Sequence, residues 1–444
     1  MTKPAARPTA RRGLRRIAVG LGAAVLTVTA LPAAAAAPAA TAAQGARTAA
    51  TATDTAAAGT VAGRAPGLDP AALQQRLDAL RDAGMYGAYS AVRDGGESWA
   101  GATGVADVDT GRPADAGMRH RVGSVTKTFT AVAVLQLVEA GRIGLDDPIG
   151  DHLPELVPGE RGRAVTVRML LNHTSGIADY LETVFPSFAE RSPRSIHDNR
   201  FRAFGEEELV RHGLAAPPTG EPGEKWAYSN TNYVLAGLLL EKVTGTTAEK
   251  YIARNVIERA GLRDTSFPAT PFVPGPHSAA YEAFFGTLDP PRDYSVYHPS
   301  AFDTAGALVS TVDDVNRFYR QLFQGALLGP EQLAEMRRTV PITDEQGNAA
   351  GHYGLGLFAT DLPCGRFWGH NGTVMGMSTL ALSSGDGRRQ VTTGTNLTKY
   401  NDLDENGVPR PHPIDAAWDR HTLTALCPGA PADTTRTAGS LLPR

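Results

Sequence analysis

The sequence predicts an α+β fold: one antiparallel sheet built from both chain ends, flanked by helices and carrying a helical insert. Three observations predict it. Strand patterns cluster at residues 86–105 and again at 353–396. A helix that is apolar on nearly every side follows Gly123, the mark of a helix buried in a protein centre. Between about 145 and 300, short helical runs alternate with Pro/Gly-rich loops.

Taken in order, the first 37 residues read as an export signal. Lys3, Arg7, Arg11, Arg12, Arg15 and Arg16 precede an apolar stretch from Ile17 to Leu31, and Ala33 to Ala37 offers small-residue cleavage sites. That stretch is short and only mildly hydrophobic for a stable membrane anchor. Arg11-Arg12-Gly-Leu14 loosely suggests twin-arginine export. Residues 38–67 are Ala/Thr/Gly-rich and read as a linker, because they hold too few large apolar residues to bury. A domain is expected over 68–427, and 428–444 reads as a loose tail.

Within the domain, Asp69 to Ala83 reads as an amphipathic helix with Pro70 in its first turn. Tyr86–Val92 and Glu97–Val105 read as strands around Arg93-Asp-Gly-Gly96. The Ser124 helix runs to a stop at Gly141. Asn232–Val243 and Ala305–Phe323 read as further helices, the latter with Asp313 and Asp314 near its start. Strands are expected near 353–360, 365–370, 373–384 and 389–396, and a closing helix at Pro413–Leu426. Aromatic residues Phe185, Phe188, Phe201 and Phe204 lie in a charged stretch of the insert. They either overhang a pocket or pack the insert.

Three short motifs carry chemistry. Ser124 and Lys127 stand three apart on the helix, so hydroxyl and amine share a face. Burial would favour the neutral amine of Lys127, which can accept or relay the serine proton. The backbone N–H of Ser124, at the helix start, is free to point at an oxyanion. A Ser-x-x-Lys pair is expected by chance about once in a chain of this length, so context decides. Tyr228-Ser-Asn230 is the only Tyr-x-Asn, and supplies a phenol and an amide. His370-Asn-Gly372 shares its loose pattern with His352-Tyr-Gly354, but a strand, a Gly385-Asp-Gly387 turn and a second strand follow it. Nucleophile, amine, phenol and strand edge together make a kit for acyl transfer through a covalent serine intermediate.

These motifs, in this order, resemble the serine penicillin-recognising hydrolases, especially the secreted D-alanyl-D-alanine carboxypeptidases and class C β-lactamases. Val122–Lys127, Met169–Gly176, Tyr228–Asn232, Tyr353–Leu357 and Gly369–Val374 all look like stretches of that family, and the resemblance covers about 68–427. It implies a β-lactamase/transpeptidase-like fold. Ser124 would attack the carbonyl, and Lys127 and Tyr228 would share the proton traffic, Tyr228 as base to Ser124 and then as acid to the leaving amine. Asn230, His370, Asn371 and Gly372 would contact substrate, and the N–H groups of Ser124 and Thr373 would form the oxyanion hole. The expected activity is that of a secreted, penicillin-binding serine-type D-Ala-D-Ala carboxypeptidase acting on peptidoglycan stem peptides. The alternatives are a β-lactamase, or an esterase or D-amino-acid amidase of the same fold. From another class, the alternative is a non-catalytic cell-wall-binding or sensor protein.

Two positions depart from the family pattern. Asn371 stands where threonine is usual. Phe358 stands where close peptidase relatives carry an arginine for the terminal carboxylate, and a phenyl ring cannot replace a guanidinium. Arg366, on the next strand, is the cation that could reach in instead.

Composition narrows the rest. A 444-residue chain, 42% hydrophobic, 20% charged and with net charge −3, is not a general nucleic-acid binder. Neither a metal nor a cofactor is expected: there is no His-Glu-x-x-His or cysteine cluster. Asp402–Gly407 mimics the start of a calcium loop, but its twelfth position is Pro413. No Gly-x-Ser-x-Gly elbow is present, which argues against an α/β-hydrolase. Cys364 and Cys427, an even pair in an exported protein, read as one disulfide.

Overall fold

The computed structural model describes residues 67–343, 349–405 and 407–430. The expected export signal, nearly all of the linker and most of the tail lie outside them.

The first helix, α1 (Pro70–Asp82), begins where Asp69 Oδ1 accepts from the N–H groups of Ala71 and Ala72 at 3.1 and 3.0 Å, satisfying donors that a helix start leaves unpaired. Strands β1 (Gly87–Asp94) and β2 (Glu97–Asp107) form a hairpin, and β3 (Arg112–Pro113) extends it. The C-terminal part supplies β4 (Val340–Thr343), β5 (Ala349–Tyr353), β6 (Phe358–Leu362), β7 (Gly365–Val374), β8 (Met377–Ser384) and β9 (Arg389–Thr395). The order across the nine-stranded sheet is β3-β2-β1-β9-β8-β7-β6-β5-β4, antiparallel throughout. The two chain ends meet at β1 and β9, where Ala88 faces Thr395 and Val92 faces Val391.

Alternate residues of each strand serve opposite faces. On β8, Leu380 and Leu382 join α1 and the closing helix through Leu73, Leu77, Leu80 and Trp418. Ala381, between them, faces the larger core. There α2 (Thr126–Glu139) is buried at every residue from Thr126 to Leu137, which is why its sequence has no polar face. It packs beside α3 (Asn230–Thr244) and α4 (Val312–Phe323), with Phe129 stacked on Phe318. The closing helix α5 is Pro413–Leu426, as expected.

Strand β4 was not foreseen by the sequence reading, and three boundaries differ from it by more than two residues. Residues 305–323 are not one helix. A short turn of helix, Asp303–Gly306, is followed by Val309–Ser310, which pairs with His120–Arg121. Thr311 then caps α4, accepting from Asp314 N–H at 3.2 Å. Thr311 before two acidic residues is an N-cap signal, and it outranks the apolar run before it. The stretch 353–360 is two strands. Tyr353 ends β5 and Phe358 opens β6 as its partner, because Gly354–Leu357 turns against α2. Gly356 there has φ +76°, and a Cβ would lie 2.4 Å from that of Ala131. Finally, residues 365–374 are one strand, and the hairpin turn falls at Met375–Gly376, not at 371–372. Gly376 takes φ +74° with a Cβ position 2.2 Å from the Ala280 carbonyl carbon. The whole His370–Thr373 motif therefore lies on one strand.

Cys364 and Cys427 are joined, their Cα atoms 5.4 Å apart and their positions 63 residues apart. The bridge ties the β6–β7 turn to the end of α5. Replacing Cys427 by Ser should lower unfolding free energy by about 4 kcal/mol through loop-closure entropy. Denaturant unfolding measures it, and a loss below about 1 kcal/mol would show the bridge to be structurally idle.

Candidate active site

Ser124 sits in a single turn of tight helix, Gly123–Val125, that runs directly into α2. Gly123 adopts φ +56°, and its Cβ would lie 2.8 Å from Thr373 N; a Cβ on Gly372 would lie 2.0 Å from Val122 O and 2.7 Å from Ser124 N. Only glycines allow this approach of β7 to the start of α2. It brings the backbone amides of Ser124 and Thr373 to one crevice, where two donors can serve a developing oxyanion.

Around Ser124 Oγ, Tyr228 OH donates at 2.7 Å and Lys127 Nζ lies at 3.1 Å. Lys127 Nζ also donates to Asn230 Oδ1 at 2.7 Å and to the Ala305 carbonyl at 2.8 Å. A neutral amine has two protons and one lone pair. Two carbonyl acceptors and one hydroxyl donor fill that set. The side chain is fully buried, and burial lowers the ammonium pKa to about 7, with the charge of Asp179 acting against the shift. Tyr228 behaves oppositely: burial raises its phenol well above the ordinary range. At neutral pH the phenol is therefore a donor, not the base to Ser124 that was expected, and Lys127 is the group poised to take the serine proton.

Asp179 was missed by the sequence reading. Its Oδ2 accepts from Asn230 Nδ2 at 2.7 Å and from Asn230 N–H at 3.2 Å, and its Oδ1 accepts from Leu181 N–H at 3.0 Å. The carboxylate thus fixes which way the Asn230 amide faces, with the oxygen toward Lys127. Asn230, expected to contact substrate, is only 7% exposed and joins Asp179 to Lys127. The signal available was Asp179 in Gly176-Ile-Ala-Asp179, directly after one of the family-like stretches.

His370 is buried with its Nε2 2.8 Å from Tyr353 OH. Burial, then the Lys127 charge, lowers its pKa to about 3, so it is neutral. His173 packs against Tyr228, ring centroids 4.4 Å apart, and supports the phenol rather than reaching the nucleophile.

One cavity of about 290 Å³ contains Ser124, Tyr228, Asn230 and the row His370, Asn371, Gly372 and Thr373. Phe185 and Phe188 line it, whereas Phe204 packs behind Phe185 and Phe201 is 58% exposed; the two readings of the aromatic stretch each hold for part of it. Phe358 lines the cavity beside His370, ring centroids 5.5 Å apart. Arg366 does not reach in: it makes a two-point ion pair with Asp361, both contacts 2.7 Å.

The β-lactamase family model matches residues 71–405. The chain belongs to the β-lactamase family. A solved D-stereospecific amidohydrolase from a Streptomyces species is 38% identical, with a TM-score of 0.70 over 82% of this chain and 100% of that one. The D-amino acid amidase of Ochrobactrum anthropi SV3 is 25% identical, with a TM-score of 0.68 over 80% and 97%. Esterase EstB of Burkholderia gladioli is 32% identical over 61% of this chain and 75% of its own length. Penicillin-binding protein 4* of Bacillus subtilis is 26% identical over 65% and 63%. The chain is a serine hydrolase of the β-lactamase and penicillin-binding-protein fold. Among the described residues, no helix is long and apolar enough to cross a membrane.

Proposed function

We propose that this hydrolase cleaves small amides or esters with an apolar flank, through an acyl-enzyme on Ser124. The observation that carries the reading is the placing of Ser124 Oγ between Tyr228 OH and Lys127 Nζ, at the floor of a cavity walled by Phe185, Phe188, Trp226 and Phe302. Tyr228 and Lys127 move the proton from Ser124 to the leaving group, and the amides of Ser124 and Thr373 hold the oxyanion. Asn371 and Gly372 offer the strand edge to the acyl part. Similarity to proteins named as an esterase and D-stereospecific amidases supports amide or ester substrates over peptidoglycan peptides. So does the lack, among the described residues, of a cation at the peptidase arginine position: Phe358 occupies it and Arg366 is tied to Asp361. The D-Ala-D-Ala carboxypeptidase reading rests on a terminal carboxylate held there.

A panel ranks the candidates: a hydrophobic p-nitrophenyl ester, a D-amino-acid amide, a penicillin and a D-Ala-D-Ala peptide. Turnover is measured with intact-mass spectrometry. The expected result is turnover of the ester at least tenfold above the peptide in kcat/KM, with a transient acyl adduct. Preference for the peptide would replace this reading with carboxypeptidase. Rapid penicillin loss without a lasting adduct would replace it with β-lactamase.

We also propose export with removal of residues 1–37, which the disulfide supports. N-terminal sequencing of protein from the culture medium should begin near Pro38. Retention of all the protein inside the cell would refute export.

A further inference from the structure

The cavity's charges do not suit every amide. Among its described lining residues the basic groups outside the histidines are Arg191, Arg200 and Lys399, and the sole carboxylate is Asp415. Asp415 is already engaged: its oxygens accept from Tyr400 OH at 2.9 Å, Asn401 Nδ2 at 3.0 Å and His412 N–H at 2.9 Å. Lys399 pairs with buried Glu282 at 2.6 Å. The two arginines differ. Neither makes an ion pair or a side-chain hydrogen bond with any described residue; Arg200 merely lies over the rings of Phe201 and Tyr294, 4.6 and 5.7 Å from their centroids. Both come from the helical insert, and neither contacts Ser124, Lys127 or Tyr228.

Two partly exposed arginines lining an apolar-walled cavity, with no ion-pair partner among the described residues, leave a positive field there. A carboxylate suits it well, since the planar fork matches two carboxylate oxygens. An α-ammonium meets the opposite environment, with repulsion from both arginines and no vacant carboxylate among the described lining. This rests on the amide and ester reading above, and narrows it. We propose that Arg191 and Arg200 form an anion-holding subsite at the insert end of the cavity. The favoured substrate then carries a carboxylate away from the scissile bond, and a free amino-acid amide is disfavoured.

Three matched p-nitrophenyl esters of D-phenylalanine test this: N-succinyl (anionic), N-succinyl methyl ester (neutral) and free amine (cationic). Nitrophenol release by the full chain gives kcat/KM for each. The anionic ester should exceed the neutral one about tenfold or more, the gain of one charge-assisted pair, and the cationic ester should be slowest. In the Arg191→Ala/Arg200→Ala variant the anionic-to-neutral ratio should fall to near one. Because it is a ratio on one enzyme, a general loss of activity cancels. If the double variant does not fold, Arg191→Gln and Arg200→Gln singly should each lower the ratio about threefold. Turnover of all three esters with a wild-type ratio near one, or a ratio unchanged in the variants, overturns the subsite alone. No turnover of any ester by wild type overturns both the subsite and the hydrolase reading beneath it.

Discussion

Ser124→Ala is expected to abolish turnover, with kcat falling by about 10⁴-fold or more, the scale seen when an acyl-transfer nucleophile is removed. The fold should survive. Ser124 is partly exposed, and among the described residues its hydroxyl hydrogen-bonds to Tyr228 and Lys127. Lys127 keeps Asn230 and the Ala305 carbonyl as partners, so the buried amine is not stranded. Tyr228 loses its hydroxyl partner but stays braced by His173 and Trp226. Thermal unfolding within a few degrees of wild type, together with loss of the acyl adduct, is the expected pair of results. Residual activity near that of wild type would mean that another residue is the nucleophile.

The second large effect concerns the lysine. Lys127 can accept the serine proton only when neutral, and its pKa of about 7 places that change in the working range. Activity should therefore rise with pH through about 7: below it the ammonium blocks proton transfer, above it the amine is free. Lys127→Met should lower kcat about 10²–10⁴-fold, the usual worth of a general base, and should erase this acid limb. Asp179→Asn supplies the sign test. The Asp179 charge holds the Lys127 pKa up, so removing it should move the acid limb to lower pH. Activity at the plateau should also fall about tenfold, because Asn230 loses a charge-assisted hydrogen bond that sets its amide. An effect through packing alone would lower activity without moving the limb. A limb that stays near pH 7 in Lys127→Met, or shifts upward in Asp179→Asn, would assign the titration to a different group.

Much of the fold was legible because the decisive patterns are local. Capped α1, the Pro413–Leu426 helix and the β1–β2 hairpin each follow from a turn or cap signal beside a clear period. The unbroken apolar surface of α2 announced its central burial. Legibility failed where a short segment's state depends on its neighbour. Val309–Ser310 is a strand only because His120–Arg121 offers it a partner. Tyr353 and Phe358 fall on separate strands because Gly354–Leu357 must turn against α2. The turn at Gly376 depends on the close approach of Ala280, which no reading of residues 370–384 contains.

The site divides along the same line. Ser124 and Lys127 are one helical turn apart, so their meeting is fixed by local geometry and the sequence by itself determined it. Tyr228 and the His370–Thr373 strand were found through motif order, not through any local contact. Asp179 meets Asn230 across 51 positions, and Asn230 meets Lys127 across 103. The pairing of Arg366 with Asp361 and the lack of an ion-pair partner for Arg191 and Arg200 among the described residues likewise depend on what the folded chain places beside each charge. Tertiary packing alone decided these, because burial and partner charge set whether a lysine is neutral or an arginine is satisfied, and neither exists until distant segments close around the side chain.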